Sequence, residues 1–247
     1  MIKLISLNIE GDKHFETFMP FLVHEMPDVL CLQEVFEADL PRIAAETGMK
    51  CAAFYPMCMR NLRLAEGLES SPWGVAIFSR LPFENPSGHY YLGTADIIPV
   101  FKKSDDPENE PNTNNLVLVR ADIRAGDQSF TICTTHFTWT PEGKVTEYQL
   151  QNQNALFKVL HSIPEFVLCG DLNAPRGKET WNRFAAKYKD NIPAHYETSL
   201  DQNLHRKKGL MYVVDGLFTT PKYKADAVQL VDGVSDHMAI VADISIL

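Results

Sequence analysis

Phe166-Val167-Leu168-Cys169-Gly170-Asp171-Leu172-Asn173-Ala174-Pro175 carries an apolar run straight into an acid, an amide and a proline. Residues 166–169 suit a buried strand, and Pro175 blocks further ladder pairing, so the chain must turn where it exposes Asp171 and Asn173. Period-two spacing predicts both side chains on one side, offering an acceptor to a water and an amide donor to an anionic oxygen. A bland turn with Asx caps has the same composition, so this stretch gains meaning from its company.

The same pattern recurs four times. Asn8-Ile9-Glu10 follows the apolar residues 2–7, Gln33-Glu34 follows residues 29–32, His136 follows residues 130–135, and Ser235-Asp236-His237 precedes residues 238–246. Five strand edges carrying carboxylate, amide and imidazole groups can converge on one end of a sheet core. Such convergence is what a metal-assisted phosphoryl site requires.

Around these clusters the pattern predicts strands at 2–7, 28–33, 51–55, 74–79, 87–92, 115–123, 129–135, 165–169, 212–219, 227–231 and 238–246. Helices are expected near 14–26, 38–47, 145–160 and 179–188. The alternation in the first quarter indicates α/β layering, while the consecutive strands after it imply hairpins and mixed or antiparallel sheets. The expected fold is α/β (α+β), with two sheets packed face to face and helices outside. Residues 57–73, 101–115 and 191–210 read as loops. With no composition break, 1–247 is expected to be a single domain and a monomer.

The net charge of −9 disfavours a generic duplex binder, which needs Lys and Arg to neutralise phosphates, although Arg206-Lys207-Lys208 leaves a local basic patch. The five cysteines lack any C-x-x-C spacing and fall mostly inside expected strands, so buried free thiols in a reducing compartment are expected. No apolar run reaches the roughly 20 residues of a membrane span, and the N-terminus enters a strand without a basic leader. A cytoplasmic chain is expected.

Residue by residue, Glu34 places a carboxylate where a nearly all-apolar strand emerges, in keeping with the oxygen ligands that Mg²⁺ prefers. Asp215, inside the apolar residues 212–218, is costly there unless paired, and orienting His237 is its obvious employment. His136 suits neutralising a phosphate oxygen or protonating a leaving group. Glu10 is either support for Glu34 or a turn carboxylate, and Trp139 and Tyr148 are assigned to core packing ahead of stacking on a substrate ring. A serine-hydrolase elbow fails, because His237 stands where G-x-S-x-G needs its last glycine, and no H-E-x-x-H zinc spacing occurs.

Taken in order, 7–11, 32–35, 74–80, 135–137, 170–173, 214–218 and 235–237 resemble the motifs of the endonuclease/exonuclease/phosphatase superfamily, the metal-dependent phosphoesterases. The resemblance spans the whole chain and implies a four-layer sandwich with the site at one sheet edge. It implies Mg²⁺ or Mn²⁺ on Glu34, with Asn8 and Asp236 beside it. By the same likeness Asp171 activates the attacking water, Asn173 orients phosphate or water, His237 supported by Asp215 contacts the phosphoryl oxygen, and His136 matches the second histidine. The expected substrate is a phosphate ester, whether a small molecule, a lipid head group or a nucleic-acid end. The segment after His136 lacks the basic residues of a duplex clamp. A non-catalytic module that binds a phospholigand or a protein is the alternative of a different class.

Overall fold

The computed structural model describes residues 1–62, 70–104, 106 and 111–247. Parts of the loops expected at 57–73 and 101–115 lie outside the described residues.

Two six-stranded sheets form the centre. The first is built from β1 (Ile2–Asn8), β2 (Val29–Phe36), β3 (Lys50–Arg60), β4 (Ser71–Ser79), β11 (Tyr223–Val231) and β12 (Ala239–Ile246), in the order β11-β12-β1-β2-β4-β3. The second is built from β5 (Phe83–Leu92), β6 (Leu116–Ala125), β7 (Gln128–Thr135), β8 (Val167–Asp171), β9 (Lys189–Asp190) and β10 (Asp215–Thr219), in the order β5-β6-β7-β8-β10-β9. Each sheet has one parallel pair, β1 with β2 and β7 with β8, and is otherwise antiparallel. Both parallel pairs are joined through a helix, α1 (Phe15–Glu25) in the first and α3 (Glu147–His161) in the second, as a parallel crossover requires. α2 (Leu40–Thr47) joins α1 on one side and α4 (Glu179–Ala185) joins α3 on the other, giving the mixed four-layer sandwich.

Alternation along the strands explains the layering. Ile2, Leu4, Val29, Cys31, Val75 and Ile77 belong to the core that also holds Val119, Ile132 and Leu168 of the second sheet. Their neighbours Ile5, Leu7, Leu30, Leu32, Ala76 and Phe78 turn the other way and pack with Phe18 and Leu22 of α1 and Ile43 of α2. Because strands buried on both faces have no polar side to show, these segments read as nearly continuous apolar runs.

Several boundaries differ from the sequence expectation, each for a local reason. β3 and β4 extend into the stretch read as loop at 57–73, pairing as far as Arg60 with Ser71 despite Pro56 and Pro72, and register shifts between Cys51 and Ala53 and between Pro56 and Cys58 absorb the irregularity. β10 begins at Asp215, three residues later than expected, because residues 212–214 bond to Ser199, Leu172 and Arg176 instead of joining a regular ladder. β8 runs on through Asp171, and the two-residue β9 has no sequence signal. All five cysteines are free; Cys51 is partly buried and the other four are buried.

Gly170, next to Asp171 at the end of β8, permits a close approach of two backbones. Its φ is +135°, and a Cβ there would lie 2.1 Å from the Thr135 carbonyl oxygen on the neighbouring β7. That oxygen is backbone and cannot swing aside, so Gly170→Ala is expected to lower stability by about 3 kcal/mol, read as a drop in the urea midpoint.

Candidate active site

The ends of β1, β2, β7, β8 and β10 meet the segment before β12 at one edge of the sandwich. The cleft they border, about 270 Å³, is lined by Glu34, His136, Asp171, Asn173, Asp236 and His237 among others. Asn8 and Asp215 lie directly behind this lining, hydrogen-bonded to it.

Glu34 owes its position to a bulge. The register of β2 on β4 jumps from Gln33–Val75 to Val35–Gly74, so Glu34 is the extra residue, held at φ 62°. A left-handed conformation costs a non-glycine residue on the order of 1 kcal/mol, and the bulge uses it to re-aim the side chain. Glu10 and Asn173, at 49° each, and Glu142, at 53°, also have positive φ, so four non-glycine cleft residues occupy this sparsely used region. Such local strain commonly gathers at functional sites.

The Asn8 amide ties the two acids together, donating to Glu34 Oε1 at 3.1 Å and to Asp171 Oδ2 at 3.0 Å. His136 Nε2 stands 3.7 Å from Glu34 Oε1 and 3.5 Å from Asp171 Oδ2, while Arg60 lies 3.8 Å from the other Glu34 oxygen. Burial by itself would raise the Glu34 pKa, but His136, Arg60, the Asn8 amide and His237 outweigh it and hold it below the ordinary value. Glu34 is therefore an anion at neutral pH.

Asp171 faces Asp215 directly across the β8–β10 ladder. Like charges opposed in this way repel, and His237 offsets the repulsion. Its Nδ1–H donates to Asp215 Oδ2 at 2.9 Å, leaving Nε2 3.8 Å from Asp171 Oδ2. Burial opposes a charge on His237, yet the carboxylates of Asp215 and Asp171 prevail and raise its pKa well above the usual value. Burial also raises the Asp171 carboxyl, and Asp215 adds to the effect against the pull of His237 and His136. An acid raised in this way is a better proton acceptor than a free carboxylate.

Asn173 lies in a turn just beyond the end of β8. Its backbone N–H closes an Asx turn on Asp171 Oδ1 at 2.7 Å, and its amide donates to the Phe137 carbonyl at 3.0 Å. It still borders the cleft.

Asp236 sits in a group with Glu10 and His14, whose ligand atoms lie within 4.8 Å of one another. Burial pushes its pKa up, against the pull of His237. Glu10, in the turn after β1, pairs with Lys13 and with His14, at 3.0 Å from the latter. Trp139 and Tyr148, assigned to the core from sequence, line the cleft instead, and Trp139 is exposed. Arg206 of the basic run also lines it.

Sequence reading missed Ser199, Arg60 and Trp73. Ser199 lies in the 191–210 loop and donates to Asp215 Oδ2 at 2.6 Å while accepting the backbone N–H groups of Val214 and Asp215. The same loop runs beside Asp236 and His237, with Asp201 N donating to Asp236 O and Met238 N to Ser199 O. A serine in a loop carries no periodic signal, so nothing in the chain marked it.

The donor set fits a hard divalent cation. Carboxylates from separate elements converge here, and hard cations take oxygen ligands of this kind, while the Asn8 amide donates its N–H groups to two of them and its Oδ1 accepts the Glu10 backbone N–H at 3.1 Å. His136 Nδ1 is buried without a partner among the described residues.

Fold and cleft together define a two-sheet α/β sandwich protein with an acid-imidazole site at the sheet edge. The model of the Endonuclease/Exonuclease/phosphatase family matches residues 5–237, and the chain belongs to that family. Among similar solved structures, the mannosyl-6-phosphatase of Bacteroides thetaiotaomicron has a TM-score of 0.70 at 12% identity, over 99% of this chain and 100% of that one. The human Nocturnin catalytic domain with bound sulfate gives 0.65 at 18% identity, over 100% and 93%. A functionally unknown conserved protein from Enterococcus faecalis gives 0.70 at 16% identity, over 100% of both chains. No functionally curated protein sequence matches. No helix among the described residues is long and apolar enough to cross a membrane.

Proposed function

We propose that the chain is a Mg²⁺- or Mn²⁺-dependent hydrolase of phosphoric esters, in which water attacks phosphorus in line. The observation that carries this reading is one cleft holding the Asn8-bridged carboxylates Glu34 and Asp171 beside a His237 charged through Asp215. Family membership supports phosphoester chemistry.

Glu34, Asn8 and Asp236 would hold the cation, which when bound supplies Lewis-acid neutralisation of the phosphoryl oxygens. Asp171 accepts the proton of the attacking water, its raised pKa suiting it to do so. His237 donates through Nε2 to a phosphoryl oxygen as negative charge develops there, held in orientation by Asp215. Asn173 orients the phosphate or the water. His136, packed edge-on against Trp73 with ring centroids 5.5 Å apart, neutralises a phosphate oxygen or protonates the leaving group.

With a net charge of −9 and no basic run after His136, a compact phosphate ester or a single-stranded nucleic-acid end fits better than duplex DNA. The test is a panel of phosphomonoesters and phosphodiesters assayed with Mg²⁺, Mn²⁺ and Ca²⁺. Turnover is expected with Mg²⁺ or Mn²⁺, lost on adding EDTA and regained on resupplying the metal. Turnover that persists under chelation would contradict the cation's role.

A further inference from the structure

Arg60, the last residue of β3, is held between two aromatic rings. Its guanidinium carbon lies 4.4 Å from the Trp73 ring centre and 4.2 Å from that of Phe101. Phe101 is anchored there by its backbone N–H, which donates to Met59 O at 2.9 Å, while Met59 N donates to Pro99 O at 2.8 Å. Stacking on both sides fixes the position of the guanidinium and directs its N–H groups outward from the ring edges. Held in this way, the charge loses little freedom when an anion arrives.

The site around it gives the anion a place. Arg60 faces Glu34 Oε2 at 3.8 Å, beyond hydrogen-bond length, while His136 stands 3.7 Å from Glu34 Oε1. Trp73 packs against both Arg60 and His136, so one ring spaces two basic groups around one carboxylate. All four residues line the cleft.

We propose that Arg60 is a substrate-binding residue that takes the third non-bridging oxygen of a phosphomonoester, making the cleft selective for monoesters over diesters. The inference rests on the hydrolase reading and names its substrate class. A monoester phosphoryl group offers three non-bridging oxygens and a second negative charge, whereas a diester offers two oxygens and one charge. With His136 and His237 serving two oxygens beside Glu34, a fixed guanidinium finds a partner in the monoester and an esterified oxygen in the diester.

The experiment compares wild type, Arg60→Ala and Arg60→Lys, with Mg²⁺ present throughout. Hydrolysis of p-nitrophenyl phosphate and bis(p-nitrophenyl) phosphate is followed, and binding of methyl phosphate and dimethyl phosphate is measured by calorimetry. Wild type is expected to prefer the monoester. Arg60→Ala should lower its kcat/KM by about 100-fold and weaken methyl phosphate binding by at least about 10-fold, with the diester values falling at least about 10-fold less, the loss common to both esters being that of the Arg60 charge beside Glu34. Arg60→Lys should recover only part of the loss, since it keeps the charge without the flat fork. Equal losses on both esters would assign Arg60 to holding the 99–101 segment and overturn the proposal, as would an unchanged monoester. If wild type turns over neither ester, the hydrolase reading fails by itself. The binding arm still decides in that case, because Arg60→Ala that binds methyl phosphate like wild type overturns the role given to Arg60.

Discussion

Asp171→Asn is expected to lower ester turnover by about 10⁴-fold while leaving the fold intact. The substitution keeps the shape of the side chain and removes its capacity to accept a proton. Asp171 is the best placed proton acceptor in the cleft. It is buried, its pKa is raised by burial and by Asp215, and Asn8, Asn173 and the two imidazoles surround it. Asparagine offers one acceptor oxygen where Asp171 now receives both the Asn8 amide and the Asn173 N–H, so one of those contacts is lost. Against that loss, one of two carboxylates facing across the ladder is discharged. The thermal midpoint should accordingly move little, while kcat collapses under saturating metal. Wild-type-like kcat in a folded Asp171→Asn protein would remove Asp171 from the proton step.

His237→Ala is expected to cost about 10³-fold in kcat, because it removes the one donor whose charge two buried carboxylates maintain. Asp215→Asn gives the more informative companion result. His237 has a folded pKa raised above its unfolded value, so its charged form is present at neutral pH and is lost as pH rises through the folded pKa. Activity that depends on the imidazolium therefore falls along an alkaline limb, and the stability it contributes is lost over the same rise. Removing the Asp215 charge lowers the His237 pKa, so the limb should move to lower pH and kcat at neutrality should fall by about 100-fold. A pH profile of kcat/KM for Asp215→Asn that overlays the wild-type curve would show that Asp215 does not tune His237.

Much of this site was legible because acids and imidazoles at the ends of apolar strands stand out against their surroundings. Glu34, His136, Asp171 and Asp215 each break a run of buried residues, and a charge in such a place demands a partner. The pairing of Asp215 with His237 followed from that demand. What stayed hidden depended on tertiary placement. Arg60 follows Met59 in a stretch, 57–73, whose little periodicity reads as loop, and its role depends on Phe101, which lies 41 residues further along the chain. Trp139 looked like core by residue type, yet it lies on the irregular segment after β7, which opens onto the cleft. The spacing did not show that Asn173 reaches the cleft it shares with Asp171 through an Asx turn, the strand having ended at Asp171. The bulge that aims Glu34 leaves no mark in the sequence, since it arises from how β2 and β4 register across Gly74.

Diffraction from crystals grown with Mn²⁺ and recorded at its absorption edge tests the gathered site most directly. The expected map has an anomalous peak about 2.0–2.3 Å from a Glu34 carboxylate oxygen, within the same cleft as Asp171 and His237. Manganese bound elsewhere, with Glu34 still held between Asn8, His136 and Arg60 and carrying no ion, would contradict it.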